Sequence, residues 1–405
     1  MTKAIVIGGG IAGCSTAFSL AQRGVAVTLL ERHADIALEA SGNPLAMLYP
    51  KLSVKPSLQN MITLLGFHFT LNLLQKIENN TRFFNACGQL QLAFNAAEKA
   101  KQDRLWQDEC FHKNKQFFQF VNYLEASEIA GIALKTGGIF LPQAGWVNPR
   151  LFCATLSKHA LINVQTATNV ISIAPSKNGW QVQLNNGEIE ADNVVICNAN
   201  DLKQFGFCAS AQITSVRGQL EFFAPNNISK NLKTIICSDH YLSPAVAGIH
   251  SIGTTYAPND MRIEICAADT QSNLWALGII SPEILHVIDK NSVSSRVAFR
   301  SQTLDYRPLA GQLLNEQRLR ENPPRYNAKS VDLPWLQGLY VNAGHGSKGM
   351  ITAPICGELI ACFIDNNQIT KKALPINANL ASSMNPSRFL LRELGLKQLA
   401  ATLYK

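Results

Sequence analysis

Apolar positions in the first 31 residues change period twice. Lys3 to Ile7 is a short apolar block that runs into Gly8-x-Gly10-x-x-Gly13. Cys14, Ala17, Phe18, Leu20 and Ala21 then recur at helical spacing, Gly24 closes that segment, and Val25 to Leu30 is a second apolar block ending on Glu31. The pattern predicts strand, tight turn, helix and strand, a βαβ unit with a dinucleotide fingerprint. Gly8 permits the turn, Gly10 leaves the backbone open to a pyrophosphate, and Gly13 lets helix and strand approach closely. Glu31 stands where a carboxylate accepts ribose hydroxyls, and the helix start offers free N–H groups to the phosphates. Lys3 with Ile11-Ala-Gly-Cys14 also fits a lipoprotein leader, but glycines interrupt the run and a second strand follows at once.

Further along, Leu58, Met61, Ile62, Leu65, Phe69, Leu73 and Ile77 predict a helix over 57–78. Gln89 to Phe94 alternates as a strand, and residues 97–119 predict a charged helix with Trp106, Cys110 and Phe117 inward. Residues 137–142 read as a strand, 149–160 as a helix, and 164–173 as strand. Trp180–Leu184 and Glu188–Glu190 flank Asn186-Gly187, a hairpin signal. Val194 to Ala199 is a buried strand ending on small and polar residues, the end that faces ligand in an open α/β sheet. Between 213 and 299, alternation predicts strands at 219–223, 241–242 and 251–256 of a separate antiparallel sheet, with a helix near 269–289. The last such unit is a strand from Leu339, the loop Gly344-His345-Gly346-Ser347-Lys348-Gly349, and a helix over 354–365. A second helix start aimed at the same crevice suits the far end of a long cofactor, such as a flavin ring. Residues 1–55, 145–212 and 300–405 are expected to form the nucleotide-binding domain, and 56–144 with 213–299 a substrate domain.

Composition narrows the class. At 405 residues, with 47% hydrophobic and 16% charged residues, the chain is an ordinary globular protein of two domains. No apolar run of about 18 residues free of glycine and charge occurs, so no membrane span is expected. Ten scattered cysteines make no CxxC pair, so they are expected to be reduced thiols of a cytoplasmic protein, and no metal site is expected. A net charge of +8 is compatible with a polyanionic partner such as RNA.

The fingerprint, the Ser41–Gly42 loop, Arg217-Gly-Gln219, the Arg300…Pro308…Gly311 stretch and Gly344-His-Gly346 occur in the order of the FAD-dependent D-amino-acid/glycine/sarcosine oxidase superfamily, which the chain resembles over nearly its whole length. Within it, Ala40–Asn43 with Leu48–Ser53, Gly344–Gly349 with Thr352-Ala-Pro354, and Asn385-Pro-Ser-Arg-Phe389 resemble the flavin half of the bifunctional tRNA wobble-uridine modification enzymes. The resemblance implies an α/β fold: a Rossmann-like FAD-binding domain interleaved with an antiparallel-sheet substrate domain. It also implies FAD as cofactor and tRNA as partner. The implied reaction removes the carboxymethyl group of 5-carboxymethylaminomethyl-(2-thio)uridine, giving 5-aminomethyl-(2-thio)uridine and glyoxylate. In that family a methyltransferase domain precedes the flavin domain, whereas here the fingerprint begins at once. The methylation is therefore expected from a separate protein, or the modification stops at the amine.

Such chemistry takes a hydride from the methylene between nitrogen and carboxylate. The carboxylate needs a planar bidentate partner. By its motif position the resemblance gives this role to Arg300, with Arg217 and Arg307 as alternatives. Tyr241 aligns with a carboxylate-orienting tyrosine, and Val170 with a position whose backbone contacts adenine. Gly344, His345, Gly346, Ser347, Lys348 and Gly349, with Ser41, Gly42 and Ala199, complete the expected cofactor contacts. Lys348 would add positive charge beside the reduced ring, or assist electron transfer to oxygen. Tyr49 and Lys51 are expected at the mouth, and Arg388, Arg392 and Lys397 are candidate tRNA contacts. Three other readings stay open: a free amino-acid or amine oxidase of this fold, a tRNA-binding scaffold without activity, and an NAD-dependent dehydrogenase.

Overall fold

The computed structural model describes residues 1–55, 57–77, 83–108, 116–325, 327–365 and 374–404. Its first layer is a six-stranded sheet in the order Leu309–Leu314, Trp335–Ala343, Asn193–Ile196, Lys3–Ile7, Ala26–Leu30, Ile162–Gln165. All neighbours are parallel except the first pair. The fingerprint strand sits inside this sheet, so both its faces must be apolar. Ala4 and Val6 pack beneath the helices Ile11–Ala21, Leu58–Ile77 and Gly349–Ile364. Ile5 and Ile7 face the small sheet formed by Val170–Ser176, Gly179–Leu184 and Gly187–Ala191. Among the described residues one stretch, Gly346–Ile364, is long and apolar enough to cross a bilayer, and most of it is buried inside the protein.

The second layer is a nine-stranded sheet. Its path runs Ala257–Pro258, Ile213–Phe223, His250–Gly253, Tyr241–Leu242, Ile235–Cys237, Gln89–Leu92, Gly138–Leu141, Gln119–Val121, and Ser294–Thr303 pairs with Ile213–Phe223. Pairing is antiparallel, apart from Ile235–Cys237 beside Gln89–Leu92. Helix Ala267–Ile280 covers one face.

Several elements differ from their expected bounds. The charged helix spans Ala96–Trp106 only, and Trp106 lies half-exposed with its ring edge-on to Phe120 rather than inward. Cys110 lies outside the described residues. The helix near 269–289 is two, Ala267–Ile280 and Pro282–Val287, because Pro282 cannot continue a helix and Ser281 caps the second by accepting from Ile284 N. The hairpin loop is Asn185–Asn186, since Leu184 pairs with Gly187. The last glycine-loop helix starts at Gly349, propagated from the 3₁₀ turn Gly346–Lys348. The strand at 251–256 stops at Gly253. The border expected at 299/300 falls inside the strand Ser294–Thr303, so Arg300 belongs to the large sheet.

Candidate cofactor and substrate site

A solvent-open cleft of about 770 Å³ lies at the carboxyl ends of the parallel strands. Gly8, Gly10, Glu31, Ser41, Val170 and Ala199 all line it. Gly13 is not at the cleft but beneath it: a Cβ there would stand 1.8 Å from Gly8 O, so only glycine lets this helix reach this strand. The Glu31 carboxylate accepts from Gly9 N at 2.7 Å and His33 N at 2.9 Å, which orients it while lone pairs remain for hydroxyls. Ser41 Oγ accepts from Ile11 N at 3.0 Å, leaving its proton to donate to an anion at the helix start. Gly42 plays a different part from the one expected. Its N–H donates to Glu39 O at 2.9 Å and its Cα faces the Arg296 guanidinium, so it shapes the loop and has no amide left for a phosphate. Arg296 fastens that loop, donating to Asn43 Oδ1, Leu38 O and Glu39 O. Arg32 closes the rim with Asp201 at 2.8 Å and with Glu39.

The loop Gly344–Gly349 joins the last long strand to its helix, and Gln302 bridges to His345. Thr352 Oγ1 donates its single proton to Lys348 O at 3.0 Å and so accepts from His345 Nδ1 at 2.9 Å. The ring proton therefore sits on Nδ1. Nε2 is a bare acceptor, buried and without a partner among the described residues. Burial keeps the ring neutral, pulling its pKa down to about 3. His345, Lys348 and Thr352 line a hollow of about 220 Å³ with Tyr306, Pro308 and Thr63. Burial, and then the charge of Lys51, pull the Lys348 ammonium down to about 8.

Arg300 lies across Gly218, where a Cβ would stand 2.5 Å from the guanidinium. It donates to Thr255 O at 3.2 Å and Thr254 Oγ1 at 2.9 Å. No carboxylate pairs with it among the described residues, and burial depresses its pKa. Tyr241 stands close enough to feel its charge, and Tyr49 adjoins Tyr241; burial pushes both phenols up. The alternatives are accounted for elsewhere. Arg217 is fully buried, ion-paired to Asp269 and bonded to Arg262 O and Glu264 O. Arg307 pairs with Asp305 at 2.5 Å. Arg388, a candidate tRNA contact, is wholly buried on Asp305 and four carbonyls, whereas Arg392 is partly exposed and Lys397 exposed.

The family model for FAD dependent oxidoreductases matches residues 3–362. The chain belongs to this FAD-dependent oxidoreductase family. It is 37% identical over 403 residues to the tRNA 5-methylaminomethyl-2-thiouridine biosynthesis bifunctional protein MnmC of Methylobacillus flagellatus, covering 98% of this chain and 60% of that protein. The MnmC protein of Ectopseudomonas mendocina is 36% identical over 97% of this chain. The chain thus spans about 60% of the length of these curated relatives. Among solved structures, glycine oxidase from Geobacillus kaustophilus superposes with a TM-score of 0.73 at 21% identity, covering 91% of this chain and 96% of its own. At that identity the likeness is one of fold.

FAD is the cofactor of this oxidoreductase family, and the residues present fit it. The close approach at Gly13, the proton left on Ser41 and the oriented Glu31 suit the adenosine and diphosphate. The bare Nε2 of His345 suits an N–H donor of a flavin ring, and the Lys348 ammonium suits a ring that gains negative charge on reduction. When bound, FAD supplies the two-electron acceptor for a hydride from carbon next to nitrogen. Thr254, Thr255 and Arg296 escaped the sequence reading. The last had a signal: alternation along Ser294–Thr303 puts Arg296, Arg300 and Gln302 on one face.

Proposed function

We propose that this chain oxidises the carboxymethylamino group of 5-carboxymethylaminomethyl-(2-thio)uridine at the tRNA wobble position, releasing 5-aminomethyl-(2-thio)uridine and glyoxylate. The observation that carries the reading is Arg300: a part-buried guanidinium with two of its five donors satisfied and no carboxylate partner among the described residues. An N-linked acetate is the group such a site takes. The names of the relatives supply the carrier, tRNA, and a tRNA substrate supports a cytoplasmic location.

Arg300 holds the carboxylate, and Thr254 and Thr255 fix the plane of the guanidinium. Fixing the carboxylate turns the adjacent methylene toward the ring site. The amine must reach the site unprotonated, because only a nitrogen lone pair can replace the departing hydride with a C=N bond. Water then adds to that bond, splitting it into amine and glyoxylate. The positive charge of Lys348 favours the reduced state of the site. Converting the amine to the methylated product in the relatives' names is methyl transfer, a different chemistry from that of this fold.

The test is mass spectrometry of wobble nucleosides after mixing FAD-loaded enzyme with tRNA bearing carboxymethylaminomethyluridine. Loss of the carboxymethyl group with an equal yield of glyoxylate is expected. An untouched nucleoside, with flavin bleached by free glycine or sarcosine instead, would refute the reading in favour of a free amino-acid oxidase.

A further inference from the structure

Beside the ring loop, three arginines converge on one acid. Asp305 accepts from Arg388 at 3.0 and 2.7 Å, from Arg307 at 2.5 Å and from Arg392 at 3.0 Å. The buried Arg388 neutralises Asp305. Arg307 and Arg392 are then two positive charges in excess, since neither has another carboxylate among the described residues.

Asp305 and Arg307 belong to the turn between the strands Ser294–Thr303 and Leu309–Leu314, and Tyr306 stands between them. Tyr306 is 58% exposed and adopts φ +57, a conformation that suits glycine or asparagine far better than a bulky ring. It lines the same hollow as His345 and Lys348. Tyr256, 52% exposed, stands nearby: Gln302 donates to its hydroxyl at 2.6 Å and bridges to His345. Two open aromatic rings thus stand beside the ring loop, and the surplus guanidinium charge sits on Asp305 next to Tyr306, with the Arg392 side chain 34% exposed and that of Arg307 13%. Splayed bases of a single-stranded loop stack on such rings, and arginines take the intervening phosphates. A free amino acid has no use for either.

We propose that Tyr306 and Tyr256, with Arg307 and Arg392, form the surface that grips a single-stranded RNA loop, Tyr306 stacking on a base beside the reacting one. The inference rests on the tRNA reading and adds where the RNA is held. It is tested on the FAD-loaded enzyme by fluorescence anisotropy, with a labelled anticodon stem-loop RNA carrying uridine at the wobble position. Tyr306→Asn removes the ring but suits φ +57. It is expected to weaken binding about 5- to 100-fold with no fall in melting temperature, while Tyr306→Phe binds like the wild type. Arg392→Gln is expected to flatten the slope of log Kd against log salt by about 0.7. Wild-type affinity in Tyr306→Asn, with the wild-type enzyme binding RNA, overturns this surface and leaves the tRNA reading standing. A wild-type enzyme that neither binds the RNA nor alters wobble nucleosides overturns both.

Discussion

The paired strands Ile213–Phe223 and Ser294–Thr303 carry an arginine on each face, Arg217 buried and Arg300 part-buried, and the two are treated in opposite ways. On the face covered by helix Ala267–Ile280, Arg217 reaches Asp269, two carbonyls and Gln219 Oε1. Glu221 beside it accepts from Gln219 at 2.8 Å, Asn273 at 3.3 Å and Ser295. On the other face Arg300 meets two neutral oxygens, and no acid among the described residues. Arg217 is fully buried and Arg300 only partly, and the larger contrast lies in completeness of partners. A cation with four of its five donors answered from within the fold, one of them by an acid, is structure, and one with two answered, both by neutral oxygens, is open to something that arrives.

The sharpest way to break this contrast is Arg300→Ala. On the carboxymethylated tRNA substrate kcat/KM is expected to fall roughly 10³-fold while FAD content and urea midpoint stay near wild type, because no acid is left unpaired. Arg217→Met should do the reverse. It strands Asp269 and two carbonyls, and should cost about 3–5 kcal/mol in urea unfolding; a normally stable variant that has lost only substrate binding would erase the distinction. Thr254 is a positioning residue between the faces, since its hydroxyl donates to Gln219 O at 3.1 Å and accepts from Arg300. Thr254→Val is expected to raise KM about tenfold with kcat little changed, and Thr254→Ser to restore it; equal losses in both parameters would point to general damage. The smallest effect concerns Lys348. Its folded pKa, about 8, lies below the ordinary 10.5, so between those values the unfolded chain binds more protons and stability rises with pH. Lys348→Met should therefore melt higher than wild type below about pH 8 and lose that advantage by about pH 10.5. An advantage independent of pH would show that charge burial is not its source.

The nucleotide end of the site was legible because its physics is local. Turn, helix start and strand follow one another within 31 residues, and each leaves its own period. Resemblance, not spacing, singled out Arg300, and nothing local distinguishes it from Arg217. Their difference lies in partners 45 or more residues away, such as Arg262, Glu264 and Thr255, whereas Arg307 is set apart by Asp305 two residues before it. Thr254 and Thr255 left no trace because they act partly through backbone atoms, which every residue shares. The break at Ser281-Pro282 was written in the chain, and apolar periodicity on both sides concealed it. Trp106 was misplaced for a related reason: the helix carrying it ends there, so the period that pointed its ring inward has no further turn to run on.

The strand Ser294–Thr303 holds three parts of the molecule at once. Arg296 ties down the loop beside the nucleotide cleft, Arg300 is the arginine proposed to meet the carboxylate, and Gln302 touches the ring loop through His345. At roughly 3.3 Å per residue these points lie along about 20 Å of one extended rod. On the proposed function that rod is a gauge: it sets how far the substrate's acid end stands from each end of the cofactor. Deleting one residue between Arg296 and Gln302 would turn the side chains beyond it to the opposite face and shorten the gauge together. Cofactor and substrate are therefore measured against each other by a single length of backbone, before either has entered the protein.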